Sequence, residues 1–268
     1  MAAVGLSVAN LEKVFGEGAA RVEALKGLSF DVAAGRFATF VGPSGSGKTT
    51  LLRILAGLER PTRGEVHWRQ EDAPGRHASG RPPEVAMVFQ EHSVFPWLTV
   101  RANVGYGLWV RGVARAERER IVDEWLRRMG LEDFARAYPH QLSGGMRQRV
   151  GVARAFALDP DVLLMDEPFS ALDAQTRLLL QEELLELWQG AGKTVLFVTH
   201  SIDEALLLSD VVFVLSRRPA RVLDRIDIPW PRPRDVARLK RDERYGELYQ
   251  RIWQQLGHER PLRRWQAS

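Results

Sequence analysis

The 268-residue chain is 45% hydrophobic and 27% charged, enough apolar material for a full-sized core and the wrong balance for a disordered chain. It has no cysteine, which excludes disulfides, thiol catalysis and zinc–cysteine sites. The net charge of +4 is unevenly spread: residues 217–268 hold 14 Lys/Arg against 7 Asp/Glu, so a basic tail follows a slightly acidic body and reads either as a polyanion contact or as a solvated terminal helix.

In chain order, apolar segments around Leu6–Val8 and Leu28–Val32 flank the loop FGEGAAR, and Arg36–Val41 is predicted as a buried strand bounded by Gly35 and Gly42. Thr50–Leu58 has a helical pattern closed by Gly57 and Pro61. A strand at Glu65–Trp68, a loop over Asp72–Pro83 and a strand at Val85–Phe89 come next. The stretch from about Pro96 to Val150 changes character and is mainly helical, with Ile121, Val122, Trp125, Leu126 and Met129 at helical spacing within Glu117–Met129. Alternation then returns: helix Met146–Ala157, strand Val162–Met165, helix Gln175–Gln189, strand Thr194–Val198, helix Ile202–Leu208, strand Val211–Leu215, and a terminal helix at Arg238–Leu256. Strands alternating with helices predict a largely parallel, helix-covered sheet. No stretch approaches the ~20 apolar residues of a membrane span, and the first residues lack the basic and apolar regions of a secretion signal; a soluble protein in the cytoplasm is expected.

Gly42-Pro43-Ser44-Gly45-Ser46-Gly47-Lys48-Thr49 matches G-x-x-x-x-G-K-[ST] between a predicted strand and a predicted helix. Glycines let backbone N–H groups turn toward phosphates, and the helix N-terminus adds its positive end. Lys48 supplies a point charge to the β- and γ-phosphates, while the Thr49 hydroxyl suits Mg²⁺. Further on, the apolar run Val162–Met165 ends in Asp166 and Glu167. A buried strand needs no acids at its end unless they face a polar site. Asp166 suits Mg²⁺ and Glu167 suits taking a proton from an attacking water, a pairing that favours hydrolysis over phosphoryl transfer to a small molecule. Ser143 with Gly144 and Gly145 opens a second helix and forms a second anion-binding N-terminus. If the two devices cannot reach one nucleotide within a molecule, a second copy must supply one of them.

With these segments in hand, the chain resembles the ATP-binding subunits of ABC transporters from Leu6 to about Arg218. LSGGMRQ (Leu142–Gln148) is similar to the family's signature motif, GPSGSGKT to its Walker A and VLLMDE to its Walker B. Gln90 matches the Q-loop glutamine, Ser170-Ala171-Leu172-Asp173 the D-loop and His200 the switch histidine. Phe15 stands where an aromatic, often Tyr, stacks on adenine. The resemblance implies an α/β P-loop NTPase fold with a mainly parallel core sheet, an antiparallel β-subdomain and an inserted helical subdomain at about 96–150. An ATPase domain over 1–218 would be followed by a basic helical extension over 219–268.

It also implies a mechanism. ATP and Mg²⁺ would be held by residues 42–49 and Thr50 of one copy and by Ser143, Gly144 and Gly145 of a second. Thr49, Gln90 and Asp166 would serve the metal, Glu167 would be the base and His200 would orient water and γ-phosphate. Asp173 would line the dimer interface, a role that its reading as a helix N-cap does not exclude. The groove of the helical subdomain would receive a membrane permease subunit, which places the chain at the cytoplasmic face of a prokaryotic inner or plasma membrane.

The run Pro96-Trp97-Leu98-Thr99-Val100, with LDAQTR (Leu172–Arg177) and IPWPRPRD (Ile228–Asp235), resembles the nitrate/sulfonate/taurine importer group, whose solute arrives through an external binding protein. Trp230, Tyr245, Tyr249 and Trp253 are expected to pack the tail onto the core rather than stack on bases. The alternative, a soluble ABC-type ATPase acting on nucleic acid or ribosomes, would use the tail as its contact; neither the long coiled-coil insertion nor the second ATPase unit usual in such proteins is present, so no nucleic acid is expected.

Overall fold

The computed structural model describes residues 4–70, 82–90, 94–170, 172–189 and 192–258. Most of the loop read over Asp72–Pro83, the residues Glu91–Ser93, Ala171 of the D-loop match and the last ten residues of the tail lie outside the described residues. The elements in chain order are β1 (Val4–Phe15), β2 (Val22–Val32), β3 (Phe37–Val41), α1 (Lys48–Leu55), β4 (Arg63–Gln70) and β5 (Val85–Val88). The helices α2 (Val100–Val110), α3 (Arg115–Arg128) and α4 (Gly144–Ala157) form the middle. Next come β6 (Val162–Asp166), α5 (Ala174–Gln189), β7 (Thr194–Thr199), α6 (Ile202–Leu208), β8 (Val211–Leu215), β9 (Val222–Asp227), α7 (Val236–Leu239) and α8 (Glu243–His258). Among the described residues no helix is long and apolar enough to cross a membrane. The chain divides into two compact units, one covering 70–195 with Val4, the other 5–69 with the residues from 196 onward.

In the first unit β5 and β6 are neighbouring strands. β5 and β6 run parallel, with Val85 opposite Val162 and Val88 opposite Met165. Every residue of β6 is buried, the continuous apolar run that a parallel strand covered on both faces requires. The helical middle packs α2 against both α3 and α4, with Trp125 and Phe156 at 5.3 Å between centroids. Thr99 starts α2 by accepting the Ala102 amide on its hydroxyl at 3.2 Å. The buried Asn103 then holds the preceding turn: its Nδ2 donates to the carbonyls of Phe95, Leu98 and Thr99, and its Oδ1 accepts the Phe95 amide at 2.7 Å. A buried amide satisfied at four points fixes a loop that hydropathy alone would leave undefined.

The second unit contains the strand order β7-β3-β8-β9 and a separate three-stranded sheet ordered β2-β1-β4. β3 and β8 are parallel, whereas β9 is antiparallel on β8. β1 and β2 form a long antiparallel pair, with Leu6 opposite Val32 and Phe15 opposite Val22. Phe30 of β2 joins the two sheets by meeting Phe40 edge-on at 4.9 Å, and Phe40 stacks on Phe213 at 5.1 Å.

The tail differs from expectation in three ways. It begins with strand β9 rather than helix: the segment Val222–Asp227 buries only Ile226 fully, so hydrogen bonding to the edge of β8, not apolar content, makes it a strand. The single helix expected over Arg238–Leu256 is broken into α7 and α8, because Asp242 accepts the Arg244 amide and guanidinium at 3.0 Å and the Trp230 Nε1–H at 2.9 Å. Trp230 and Tyr245 are buried as expected, but Trp253 is 56% exposed and stacks on Tyr249.

Asp210 ties this unit together. Its carboxylate accepts the Phe37 amide at 2.9 Å and the Arg232 Nε–H at 3.0 Å, and Arg234, with a side chain 1% exposed, lies 3.8 Å away. Burial and the neighbouring Arg232 push Arg234 down to about 10, against the pull of Asp210. Removing the carboxylate takes a shared counter-ion from two largely buried cations. We therefore expect Asp210→Ala to destabilise the fold by about 3–5 kcal/mol, read as a lower urea midpoint at unchanged slope.

Candidate nucleotide-binding site

The residues 42–49 connect β3 to α1 in the second unit. Gly47 has φ +109°, and a Cβ there would lie 2.7 Å from the Ala24 carbonyl oxygen and 3.0 Å from Leu25 Cδ2. Strand β2 thus presses on the loop from outside, and only glycine allows the chain to turn beneath it. Gly45 also adopts a positive φ, +75°. Lys48 is 4% exposed and folds its ammonium back over the loop, donating to the carbonyls of Gly42 and Pro43 at 2.9 Å each. Ser46 Oγ is buried without a hydrogen-bond partner, and no side chain caps the start of α1. A cradle lined by backbone, with a buried ammonium, an orphaned hydroxyl and an uncapped helix N-terminus, fits a polyphosphate. Pro43, Ser44, Thr49 and Thr50 surround it at half-buried or exposed positions, while Gly42 is buried.

Two further expected residues belong to the same unit. Phe15 ends β1 with 39% of its surface exposed, and the Lys13 ammonium lies 4.7 Å above its ring. His200 follows β7 at an exposed position. Its neighbours are fixed across it: the Thr199 hydroxyl donates to Glu204 Oε2 at 2.5 Å and accepts the Ser201 amide at 3.0 Å, and the Ser201 hydroxyl accepts the Glu204 amide at 3.3 Å. Thr199, Ser201 and Glu204 were not singled out in the sequence; the Ser-x-x-Glu spacing of a helix start was the available signal.

The remaining candidates lie in the first unit. Gln90 is exposed just beyond β5. Ser143 is the N-cap of α4, its Oγ accepting the Met146 amide at 3.3 Å. A Cβ on Gly145 would meet Thr176 Cγ2 at 2.8 Å, so the first turn of α5 dictates glycine there, a reason the motif alone does not disclose. Gly144 and Gly145 are half-buried and Ser143 is exposed. Asp166 ends β6 at 2% exposure. Glu167 follows with φ +44°, the left-handed region that non-glycine residues seldom occupy, directly before Pro168. Asp173 accepts the amides of Gln175 and Thr176 at 3.1 and 3.0 Å, and the amide and hydroxyl of Thr176 hold its carboxyl below the usual range. The N-cap reading of Asp173 is therefore satisfied within the chain. Among the described residues no group of three or more His, Asp and Glu side chains could by itself hold a metal. Mg²⁺ does not require such a group, since it takes few protein ligands and completes its shell with water and substrate phosphates.

A family model described as "ABC transporter" matches residues 25–170. An uncharacterised ABC transporter ATP-binding protein of Methanocaldococcus jannaschii is 50% identical over 237 residues, 88% of this chain and 87% of the relative. The nitrate import ATP-binding protein of a Synechocystis strain is 43% identical over 84% of this chain and 83% of its own length. The taurine import ATP-binding protein of Roseobacter denitrificans is 40% identical over 93% and 94%. Among solved structures, a dimeric ATP-binding cassette in a post-hydrolysis state, bound to ADP and Pi, superimposes with a TM-score of 0.71 at 31% identity, covering 84% of this chain and all of that one. A match over more than half of the chain, together with relatives this similar along nearly their full length, leaves one conclusion: the chain belongs to the ABC transporter family, as an ATPase that binds ATP with Mg²⁺.

Proposed function

We propose that this chain is the ATP-hydrolysing subunit of an importer, energising uptake of a small anionic or polar solute of the nitrate, sulfonate or taurine type through a separate permease. The observation that carries the hydrolytic part is Glu167. A carboxylate held at a positive φ at the end of a buried strand is a local strain of the kind that persists at functional sites. The importer branch draws on the relatives named for nitrate and taurine import and on the PWLTV segment. The permease reading is supported by a cavity of about 670 Å³ against α2 and α3, lined by Trp97, Leu98, Tyr106, Trp109, Arg118 and Glu119. Trp97 and Trp109 are 69% and 60% exposed there, an apolar surface suited to a helix of a membrane subunit.

In this reading the residues 42–49 and Thr50 hold the triphosphate, and Phe15 offers its ring to adenine. Lys48 and the backbone amides of the loop offset the charge on the β- and γ-phosphates. Thr49, Gln90 and Asp166 serve Mg²⁺, which neutralises charge developing on the phosphate oxygens when bound. Glu167 accepts a proton from the attacking water, and His200 orients that water and the γ-phosphate. Ser143, Gly144 and Gly145 complete the site of a second copy, with Asp173 beside the interface between copies. We assign the ATPase domain to 1–218, with the helical subdomain at about 96–150, and the extension to 219–268. The protein acts at the cytoplasmic face of the membrane through its permease, and the external binding protein takes part indirectly.

Glu167→Gln is expected to lower kcat by ~10²–10⁴-fold, the usual worth of a general base, while the Kd for ATP stays within about threefold of wild type because the cradle is untouched. Phosphate release in the assembled complex and equilibrium titration with ATP measure the two; near-normal hydrolysis removes Glu167 from the mechanism. The isolated chain is expected to sediment as a monomer without nucleotide, and the Glu167→Gln chain as a dimer with ATP. A stable nucleotide-free dimer would contradict a site divided between copies.

A further inference from the structure

α6 is only seven residues long, and it begins two residues after His200. A helix this short has no stable orientation of its own and takes it from its contacts. The hydrogen bonds of Thr199, Ser201 and Glu204 join the turn that carries His200 to the first turn of α6, so helix and turn move together.

The tail then grips α6 at both ends. At the C-terminal end, Arg234 Nη1 donates to the carbonyls of Leu207 at 2.9 Å and Ser209 at 2.6 Å, and Arg232 donates to the carbonyl of Leu208. Two cations on the last carbonyls complement the negative end of the helix. At the N-terminal end, the Tyr245 hydroxyl donates to Asp203 Oδ1 at 2.6 Å, with Lys240 Nζ 3.7 Å from the same oxygen. Tyr245 is 9% exposed and lies 6.0 Å from the ring of Trp230. Burial, then the adjacent Asp203, push its hydroxyl upward, so it remains a donor through the physiological range. The arginines anchor the far end of α6, and Tyr245 hydrogen-bonds the end next to His200, with Lys240 beside it.

We propose that Tyr245 is a positioning residue for His200: its hydrogen bond to Asp203 holds α6, and with it the Thr199–Ser201 turn, in the orientation that presents His200 to the nucleotide. The proposal rests on the reading of His200 as the group that orients water and γ-phosphate. Tyr245 acts on Asp203 and Trp230, neither of them in the loop 42–49, so its loss is expected in rate and not in ATP affinity.

The test uses the full chain with Tyr245→Phe, and with Asp203→Ala to remove the acceptor from an exposed position. The expected result is a fall in kcat of about tenfold, within the range a misplaced catalytic group produces, at a KM for ATP within about twofold of wild type. A readout independent of turnover is the His200 Cε1–H resonance in the nucleotide-free chain, assigned by its disappearance in His200→Ala; it should shift or broaden in both variants. In a His200→Ala background, Tyr245→Phe should add no further loss, since the two act as one unit. Wild-type kcat, an unmoved His200 resonance or a fully additive loss in that background each overturns the proposal. Wild-type turnover by His200→Ala alone is a different failure: it sinks the role of His200 itself, and the proposal with it.

Discussion

The carbonyl oxygen of Ala24 sits where a side chain at position 47 would begin, and the phosphate cradle depends on that contact. A Cβ at Gly47 would stand 2.7 Å from it, so β2 presses directly on the turn and the turn answers with φ +109°. The pressure is possible because β2 is itself fixed, through its pairing with β1 and through Phe30 packed on Phe40 of β3, the strand that feeds the loop. Glycine is demanded here by packing, whatever the loop binds. Lys48 completes the arrangement by donating to the carbonyls of Gly42 and Pro43, which holds a buried cation in place. Preorganisation of this kind removes reorganisation from the moment of reaction, and a rigid β-sheet edge is what supplies it.

The basic tail takes on a different meaning once its partners are visible. Arg232 and Arg234 are used on Asp210 and on the last carbonyls of α6. Arg244 is paired with Asp242, and Arg251 forms two bonds to Asp224. Positive charge spent on internal carboxylates and a helix C-terminus does not form the outward-facing field that polyanion recognition needs. The tail is a brace for the second unit, closing the edge of β8 with β9 and holding the short helix that follows His200.

Much of the chain was legible because its signals are local. The strand–loop–helix around residues 42–49 announces itself by glycine spacing, the buried β6 by its unbroken apolar run, and α4 by Ser143 at its start; each depends on neighbours within a few residues. β9 was not legible, since a strand that buries one residue has no hydropathy pattern, only a partner strand, Val211–Leu215, to which it folds back across a turn. The break between α7 and α8 was hidden for a related reason: Asp242 ends the helical run by taking a bond from Trp230, twelve residues earlier. Gly145 was readable as a motif glycine, yet its steric reason lies in Thr176, on another helix.

The sequence by itself determined the family: a glycine-spaced strand–loop–helix, an Asp-Glu pair ending an apolar strand and a Ser-Gly-Gly helix start, in this order. These are decided by residue type and short spacing. Only the tertiary structure decided why particular positions tolerate no alternative and what holds the mobile-looking pieces still. The positive φ of Glu167 has no pattern in residue type, and the contact of Ala24 with Gly47 and the grip of Tyr245 and Arg234 on α6 join residues far apart in the chain, where no local pattern records them.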